Sequence, residues 1–183
     1  LFYQRQDQIL RNEAAVRAAV VNATKWVKNK GYTNVIIEIA NEHPHSGFLH
    51  AIIRTKSGMV SLIQLARSVA PTLYFSASGT GSGTISSDVA KVSDVLLIHF
   101  NGTSVSKIPS KIKALKTHGK PIVCNEDDKT GQLAAQAAEA SVRNGASYGL
   151  MLAEVNQDFP FEFHGRDDDP VAYDRISQLT GSP

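Results

Sequence analysis

Short apolar runs alternate with segments of helical spacing along most of the chain. Residues 7–30 carry Ile9-Leu10, Ala14, Val16, Val20-Val21 and Trp26-Val27 near a 3.6-residue period, and Gly31 follows as a stop signal. The spacing predicts a helix there and a short strand over Val35–Ala40, rich in β-branched residues. A second helical region runs from His50 to Ala70, with a break expected at Ser57-Gly58 and an end before Pro71. Strands are then predicted at Leu73–Ala77, Val95–Phe100, Pro121–Cys124 and Tyr148–Val155. Between and after them come a short segment through Val89-Ala90 and helices over residues 109–118, Gln132–Asn144 and Pro170–Leu179.

Apolar strands alternating with helices predict an α/β chain whose sheet is parallel and covered by helices. An open doubly wound sheet and a closed eight-stranded barrel both satisfy the pattern, and periodicity does not separate them. The strand ends carry more information. Four of the five finish in polar groups: Asn41-Glu42-His43, His99-Phe100-Asn101, Asn125-Glu126-Asp127-Asp128 and Asn156-Gln157-Asp158. The fifth ends in Ser76 and Ser78. Loops after strands are polar partly because they meet water and cap the next helix. Two strands that both end in Asn-Glu go beyond this, and barrels place their catalytic groups at the C-terminal ends of several strands.

Alternation sharpens the pattern. Ile36, Glu38, Ala40 and Glu42 share one strand face, as do Leu97, His99 and Asn101, and Ile122, Cys124 and Glu126. A single register therefore predicts that Glu42, His99 and Glu126 point into one cavity. It also places Glu38 deeper on the same face, where a carboxylate needs a partner that the sequence does not name.

Composition excludes several classes without choosing one. The chain has 183 residues, 42% hydrophobic and 20% charged, with a formal net charge of +2. That balance argues against nucleic acid or an anionic membrane as partner. No apolar stretch approaches the roughly 20 residues that span a bilayer. Cys124 is the one cysteine, which leaves neither a disulfide nor a cysteine metal site.

With these residues in view, the segment Asn34–Glu42 (NVIIEIANE) resembles the fourth strand of clan A glycoside hydrolases, the cellulase-like family 5 group especially. Lys120–Asp128 (KPIVCNEDD) resembles the seventh strand of that barrel and Leu96–Gly102 (LLIHFNG) the sixth. Phe2-Tyr3 with Gln6-Asp7 resembles the tail of strand three. The resemblance implies a partial (β/α)8 TIM barrel, strands four to eight with covering helices. It would form a single domain over 1–183, the C-terminal portion of a barrel truncated at its N-terminus. It implies retaining hydrolysis of an oligo- or polysaccharide, with Glu42 as acid/base, Glu126 as nucleophile and no cofactor or metal. Asn41, His99, Asn101, Asn156 and Gln157 would bind substrate. The missing first strands would leave this chain alone poorly stable or oligomeric, and inactive.

The chain departs from that family in two respects. The Trp expected after strand eight is missing; Phe159, Phe161 or Phe163 is the candidate substitute platform, although aromatic residues after a strand more often serve packing, and the one Trp, Trp26, is expected in the core. Asp127-Asp128 crowd the proposed nucleophile with carboxylates, and Glu154 is a third candidate carboxylate ranked below Glu42 and Glu126. Other signals are read as structural. Gly79–Gly83 lacks a phosphate-loop ending and is expected to be a flexible loop over the cleft. His43, His45 and His50 are expected to be loop histidines rather than zinc ligands, and Arg166–Pro170 a solvated turn. Two other readings stay open at this point: a non-catalytic carbohydrate-binding barrel, and an open α/β domain using the glycine loop or the histidines.

Overall fold

The computed structural model describes residues 1–4, 6–157 and 159–181, with the backbone alone of Glu154. Its contacts divide the chain into two compact units: residues 1–80 with 85–97, and residues 81–84 with those from 98 onward.

In the first unit, Asn12 caps helix α1 (Glu13–Asn29) by accepting from the Ala15 amide at 3.0 Å. A 3-10 turn, Gln6–Ile9, precedes it, so the helix predicted over 7–30 is two elements. Val16, Val20 and Thr24 form the buried stripe of α1 at intervals of four. Strand β1 (Ile36–Glu38) follows, and then α2 (Ala51–Arg54) and α3 (Lys56–Val69). The break between these helices falls at Thr55, not at Ser57-Gly58. Thr55 is extended and its hydroxyl accepts from the Gly58 amide, so one residue ends α2 and caps α3. Gly58 lies inside α3 because a Cβ there would stand 2.2 Å from the Ile52 carbonyl oxygen.

Strand β2 (Tyr74–Ser76) pairs in parallel with β1, placing Ile36 beside Tyr74, Ile37 beside Phe75 and Glu38 beside Ser76. Phe2 adds a parallel bridge to Ala40. Alternation decides burial: Ile37 and Ile39 enter the core with Phe75, Leu62 and Ile63, while Ile36 and Tyr74 are exposed. The short helix α4 (Ser87–Val92) accounts for the segment around Val89-Ala90. Beyond it, Asp94 accepts from the Phe75 amide at 2.8 Å and from Arg67 at 2.7 Å, which pins the edge of β2.

The unit boundary falls within β3 (Leu96–His99), and β3 is hydrogen-bonded to β4 (Ile122–Glu126). In the second unit, Ile108, Ile112 and Leu115 of α5 (Ile108–Leu115) form its buried stripe. Helix α6 (Gly131–Arg143) buries Ala134, Ala135, Ala137, Ala138 and Ser141, small residues that suit close packing with α7 (Pro170–Thr180). One carboxylate caps both helices: Asp169 accepts from the Gly131 amide at 2.6 Å and from the Ala172 amide at 3.0 Å.

The strand expected over Tyr148–Val155 does not form among the described residues. Ser147 makes a single parallel bridge to Val123, and the chain then turns into a π-helical turn, Ala153–Gln157. The Asn156 side chain accepts from the Leu152 amide at 2.8 Å and donates to the Leu150 carbonyl at 3.3 Å. A side chain thus satisfies backbone groups that a strand ladder would have used. The described strands make two short, open, two-stranded sheets.

Replacing Gly58 by Ala tests the close approach of α2 and α3. Helix propensity alone predicts a gain for this substitution. Steric contact with Ile52 predicts instead a loss of about 1–3 kcal/mol, measurable by denaturant unfolding; an unchanged or raised stability would contradict the packing described.

Candidate active site

Glu42 lies just past the end of β1 in the first unit. Its φ is +50°, and among the described residues it is the non-glycine residue in the left-handed region. For an L-residue that conformation costs about 1–2 kcal/mol, so surrounding bonds must hold it. The Glu42 amide donates to Ser78 Oγ at 2.8 Å, and its carbonyl accepts from the His45 amide at 2.8 Å. Gln4 Nε2 donates to the half-buried carboxylate at 2.9 Å. Ser78 organises the rest of the corner. Its carbonyl accepts from the His43 amide, and its own amide lies 3.1 Å from Glu38 Oε1. That amide is the partner for Glu38 which the sequence left unnamed. Asn41 is buried beside Glu42, its amide bonded to the Phe2 carbonyl at 3.0 Å.

His99, Asn101, Glu126, Asn156 and Gln157 belong to the second unit. Glu126 ends β4 with its side chain buried. Asn101 Nδ2 donates to its Oε1 at 2.8 Å, and His99 Nδ1 stands 3.5 Å from its Oε2. His99 and Asn101 are two residues apart, so both project from one side of the chain leaving β3. The Phe100 amide between them donates to the Glu126 carbonyl at 2.9 Å, which sets the register of the two strand ends.

Asp127 and Asp128 do not crowd Glu126 as the sequence suggested. Asp128 is exposed. Asp127 is fully buried, with Oδ1 bound by Lys129 Nζ at 2.8 Å and Oδ2 by the Tyr148 hydroxyl at 3.1 Å. Burial, and then the Asp127 charge, push the Tyr148 hydroxyl far above its ordinary pKa, so it stays a donor. Lys129 Nζ also donates to the Phe100 carbonyl at 2.7 Å. A single ammonium therefore ties the residue between His99 and Asn101 to the residue after Glu126. Burial raises the neighbouring Cys124 thiol to about 12, which removes it as a nucleophile at neutral pH.

The glycine segment is packed rather than loose. Gly83 N donates to the His99 carbonyl, and the Gly81 carbonyl accepts from the Gly102 amide and the Thr103 hydroxyl. A Cβ on Gly81 would lie 2.1 Å from Asn101 Oδ1, and one on Gly83 would meet the Phe100 ring at 2.8 Å. These glycines let the backbone close over the residues that face Glu126. The histidines near Glu42 bond to backbone: His43 Nδ1 to the Ile53 carbonyl, His45 Nδ1 to the Gly47 amide, His50 Nε2 to the Leu10 carbonyl. Burial holds His43 below its ordinary pKa, which keeps it neutral. The Arg166–Pro170 turn serves capping and pairing, with Asp169 on two helix starts and Arg166 on Asp174.

One expectation changes. Trp26 is 57% exposed on α1, edge-on to Tyr32, and is not core. The alternation that buries Val16, Val20 and Thr24 points it outward. The Asn156 side chain bonds to the Leu152 amide and the Leu150 carbonyl and lines a cavity with Gln157. Gln157 lines a cavity with Phe161 and Phe163, whereas Phe159 is 88% exposed. The Glu154 side chain and Asp158 lie outside the described residues.

No protein-family model matches the sequence, and no curated protein matches it at a significant level. Solved structures do match. A β-glucuronidase from an uncultured Clostridium species superposes with a TM-score of 0.58 and 11% identity over 93% of this chain. The chain spans only 36% of that enzyme's length. A GH10 xylanase from Thermobacillus composti gives a TM-score of 0.60 at 10% identity, over 97% of this chain and 74% of its own. An intracellular xylanase from Thermoanaerobacterium saccharolyticum gives 0.50 at 13% identity, over 76% and 55%. At these identities the likeness shows a fold alone: a mixed helix and strand chain that superposes on part of these TIM-barrel enzymes. It does not single out the cellulase-like family 5 group.

The Lys129 bridge yields a quantitative test. Lys129→Met leaves the Asp127 charge buried and should lower the unfolding free energy by about 3–5 kcal/mol. Adding Asp127→Asn removes the stranded charge and should recover part of that loss. Purely additive losses in the double-mutant cycle would contradict a coupled pair.

Proposed function

We propose that the chain supplies the two reacting carboxylates of a retaining hydrolase of β-linked glycans, with Glu42 as acid/base and Glu126 as nucleophile. The observation that carries the reading is the buried Glu126 carboxylate at the C-terminal end of β4, bonded by Asn101 and faced by His99. Glu42 supports it from the end of another strand, on a left-handed backbone that local bonds hold in place. Non-glycine residues in such conformations concentrate at functional sites. Xylanase and glucuronidase neighbours support a glycoside as the substrate class. The cellulase-like assignment rests on the Asn41-Glu42 and Asn125-Glu126 strand ends.

In the proposed reaction a Glu126 oxygen attacks the anomeric carbon while Glu42 gives its proton to the departing glycosidic oxygen. The carbon–oxygen bond to the leaving group breaks and a glycosyl ester forms on Glu126. Glu42 then takes a proton from water, the water oxygen attacks the same carbon, and Glu126 leaves as carboxylate. Two inversions return the original configuration, and the mechanism requires carboxyl groups about 5–5.5 Å apart. Asn101 and His99 would orient the nucleophile, and Asn41 would hold the hydroxyl next to the reacting carbon.

Leaving-group dependence separates the two roles. Glu42→Gln should reduce turnover of an unactivated β-glycan by about 10²–10⁴-fold, and should affect a dinitrophenyl glycoside much less, since that leaving group needs no proton. Glu126→Gln should abolish turnover of both. Near-normal activity in either variant on the unactivated substrate would remove that residue from the mechanism. Sugar binding without turnover by the unmutated chain joined to the missing barrel strands would point to a non-catalytic binding barrel.

A further inference from the structure

Helix α1 carries a polar residue where its packing asks for an apolar one. Val16, Val20 and Thr24 form its buried stripe. The Thr24 hydroxyl is enclosed and has no hydrogen-bond partner among the described residues. Leaving a buried hydroxyl unpaired costs about 1–3 kcal/mol. Threonine is also a weaker helix former than alanine or leucine, because its χ1 is restricted against the preceding turn. Valine has nearly the same shape and would fill the position without an unpaired polar atom. The packing of α1 therefore gives no reason for a hydroxyl at 24.

Residues 22–24 read Asn-Ala-Thr, the acceptor pattern for N-linked glycosylation. That pattern requires a hydroxyl two residues after the acceptor, which gives Thr24 a role that packing does not. A two-residue step turns the helix by about 200°, so Asn22 is exposed although Thr24 is buried. Ala18 and Trp26, one turn to either side, share the exposed face with Asn22. Helical side chains lean toward the N-terminus, so the Trp26 ring leans over the turn that holds Asn22. Lys30 Nζ lies 5.9 Å from the ring centroid and Tyr32 meets the ring edge-on, which braces the indole. An exposed indole beside the acceptor offers an apolar face to the first sugar.

The same pattern at Asn101-Gly102-Thr103 is committed to the fold. Asn101 Nδ2 donates to Glu126, and the Thr103 hydroxyl donates to the Gly81 carbonyl. A glycan on Asn101 would remove the bond to Glu126, whereas one on Asn22 would project from the outer face of α1.

We propose that Asn22 is an N-glycosylation site, modified before α1 folds, and that the attached sugar then shields Trp26. In the transfer, the Asn22 amide nitrogen bonds to the anomeric carbon of a lipid-linked oligosaccharide pyrophosphate. The bond from that carbon to the pyrophosphate oxygen breaks, the lipid pyrophosphate leaves, and an amide proton passes to a base. Thr24 is buried once α1 has formed, so transfer belongs to the unfolded chain. The site is independent of the hydrolase reading.

The test is cell-free translation of the full chain, behind a cleavable signal peptide, into microsomes, where transfer does not wait on folding. Peptide mass spectrometry after enzymatic glycan release in heavy-oxygen water should mark Asn22 in the parent and in Thr24→Ser. Thr24→Val should leave it unmarked. Soluble protein secreted by a eukaryotic cell line should be marked at Asn22 and not at Asn101. In that protein the fluorescence of Trp26, the chain's one tryptophan, should be quenched less by acrylamide before glycan release than after it. In protein made without glycosylation, Thr24→Val should raise the melting temperature by about 2–4 °C. An unmarked Asn22 in the parent, or a secreted product marked only at Asn101, would overturn the proposal. So would a lowered melting temperature in Thr24→Val, since the hydroxyl would then serve the fold. Equal quenching before and after glycan release would overturn the shielding of Trp26.

Discussion

The second unit turns on one part-buried ammonium. Lys129 Nζ bridges the Asp127 carboxylate and the Phe100 carbonyl, 2.8 and 2.7 Å away. Removing two charges from water is costly, and an apolar pair of the same volume could stabilise the fold as well. What an apolar pair could not do is recognise a particular carbonyl. Phe100 lies between His99 and Asn101, and Asp127 follows Glu126, so the bridge locks the two strand ends in one relative position. The Asn101–Glu126 bond and the 3.5 Å approach of His99 follow from it. Tyr148 completes the set by donating to the other Asp127 oxygen, with its proton secured by burial.

The Glu42 corner uses a different device. Its backbone is held against an intrinsic cost by Ser78, which serves the Glu42 amide, the His43 amide and the Glu38 carboxylate from one position. A glycine at 42 would adopt that φ without cost but would carry no carboxylate.

The four strands that form were legible because β-branched and apolar runs bounded by turn residues leave few alternatives. Tyr148–Val155 misled because a strand-like composition says nothing about Asn156, whose amide captures the backbone locally. The glycine segment read as loose because its meaning is steric: only the approach of Asn101 and Phe100 shows why no side chain fits at Gly81 and Gly83. The Asp127-Asp128 crowding dissolved for a similar reason. A cation two residues onward and a tyrosine 21 residues onward separate Asp127 electrostatically from Glu126, and the sequence gives no sign of that pairing. Trp26 was misplaced by its hydrophobicity, although the spacing of Val16, Val20 and Thr24 already assigned it to the outer face of α1.

The proposed attack of Glu126 on a sugar would leave a covalent intermediate that can be trapped. A 2-deoxy-2-fluoro-β-glycoside with a dinitrophenolate leaving group slows both steps but still allows the first, so a glycosyl ester should accumulate. Incubation with the xylobiosyl and cellobiosyl forms, followed by peptide mass spectrometry, should place one fluoroglycosyl group on the peptide containing Glu126. Glu126→Gln should prevent the label. A label on any other carboxylate, or none while the parent protein turns over unmodified glycosides, would contradict the account.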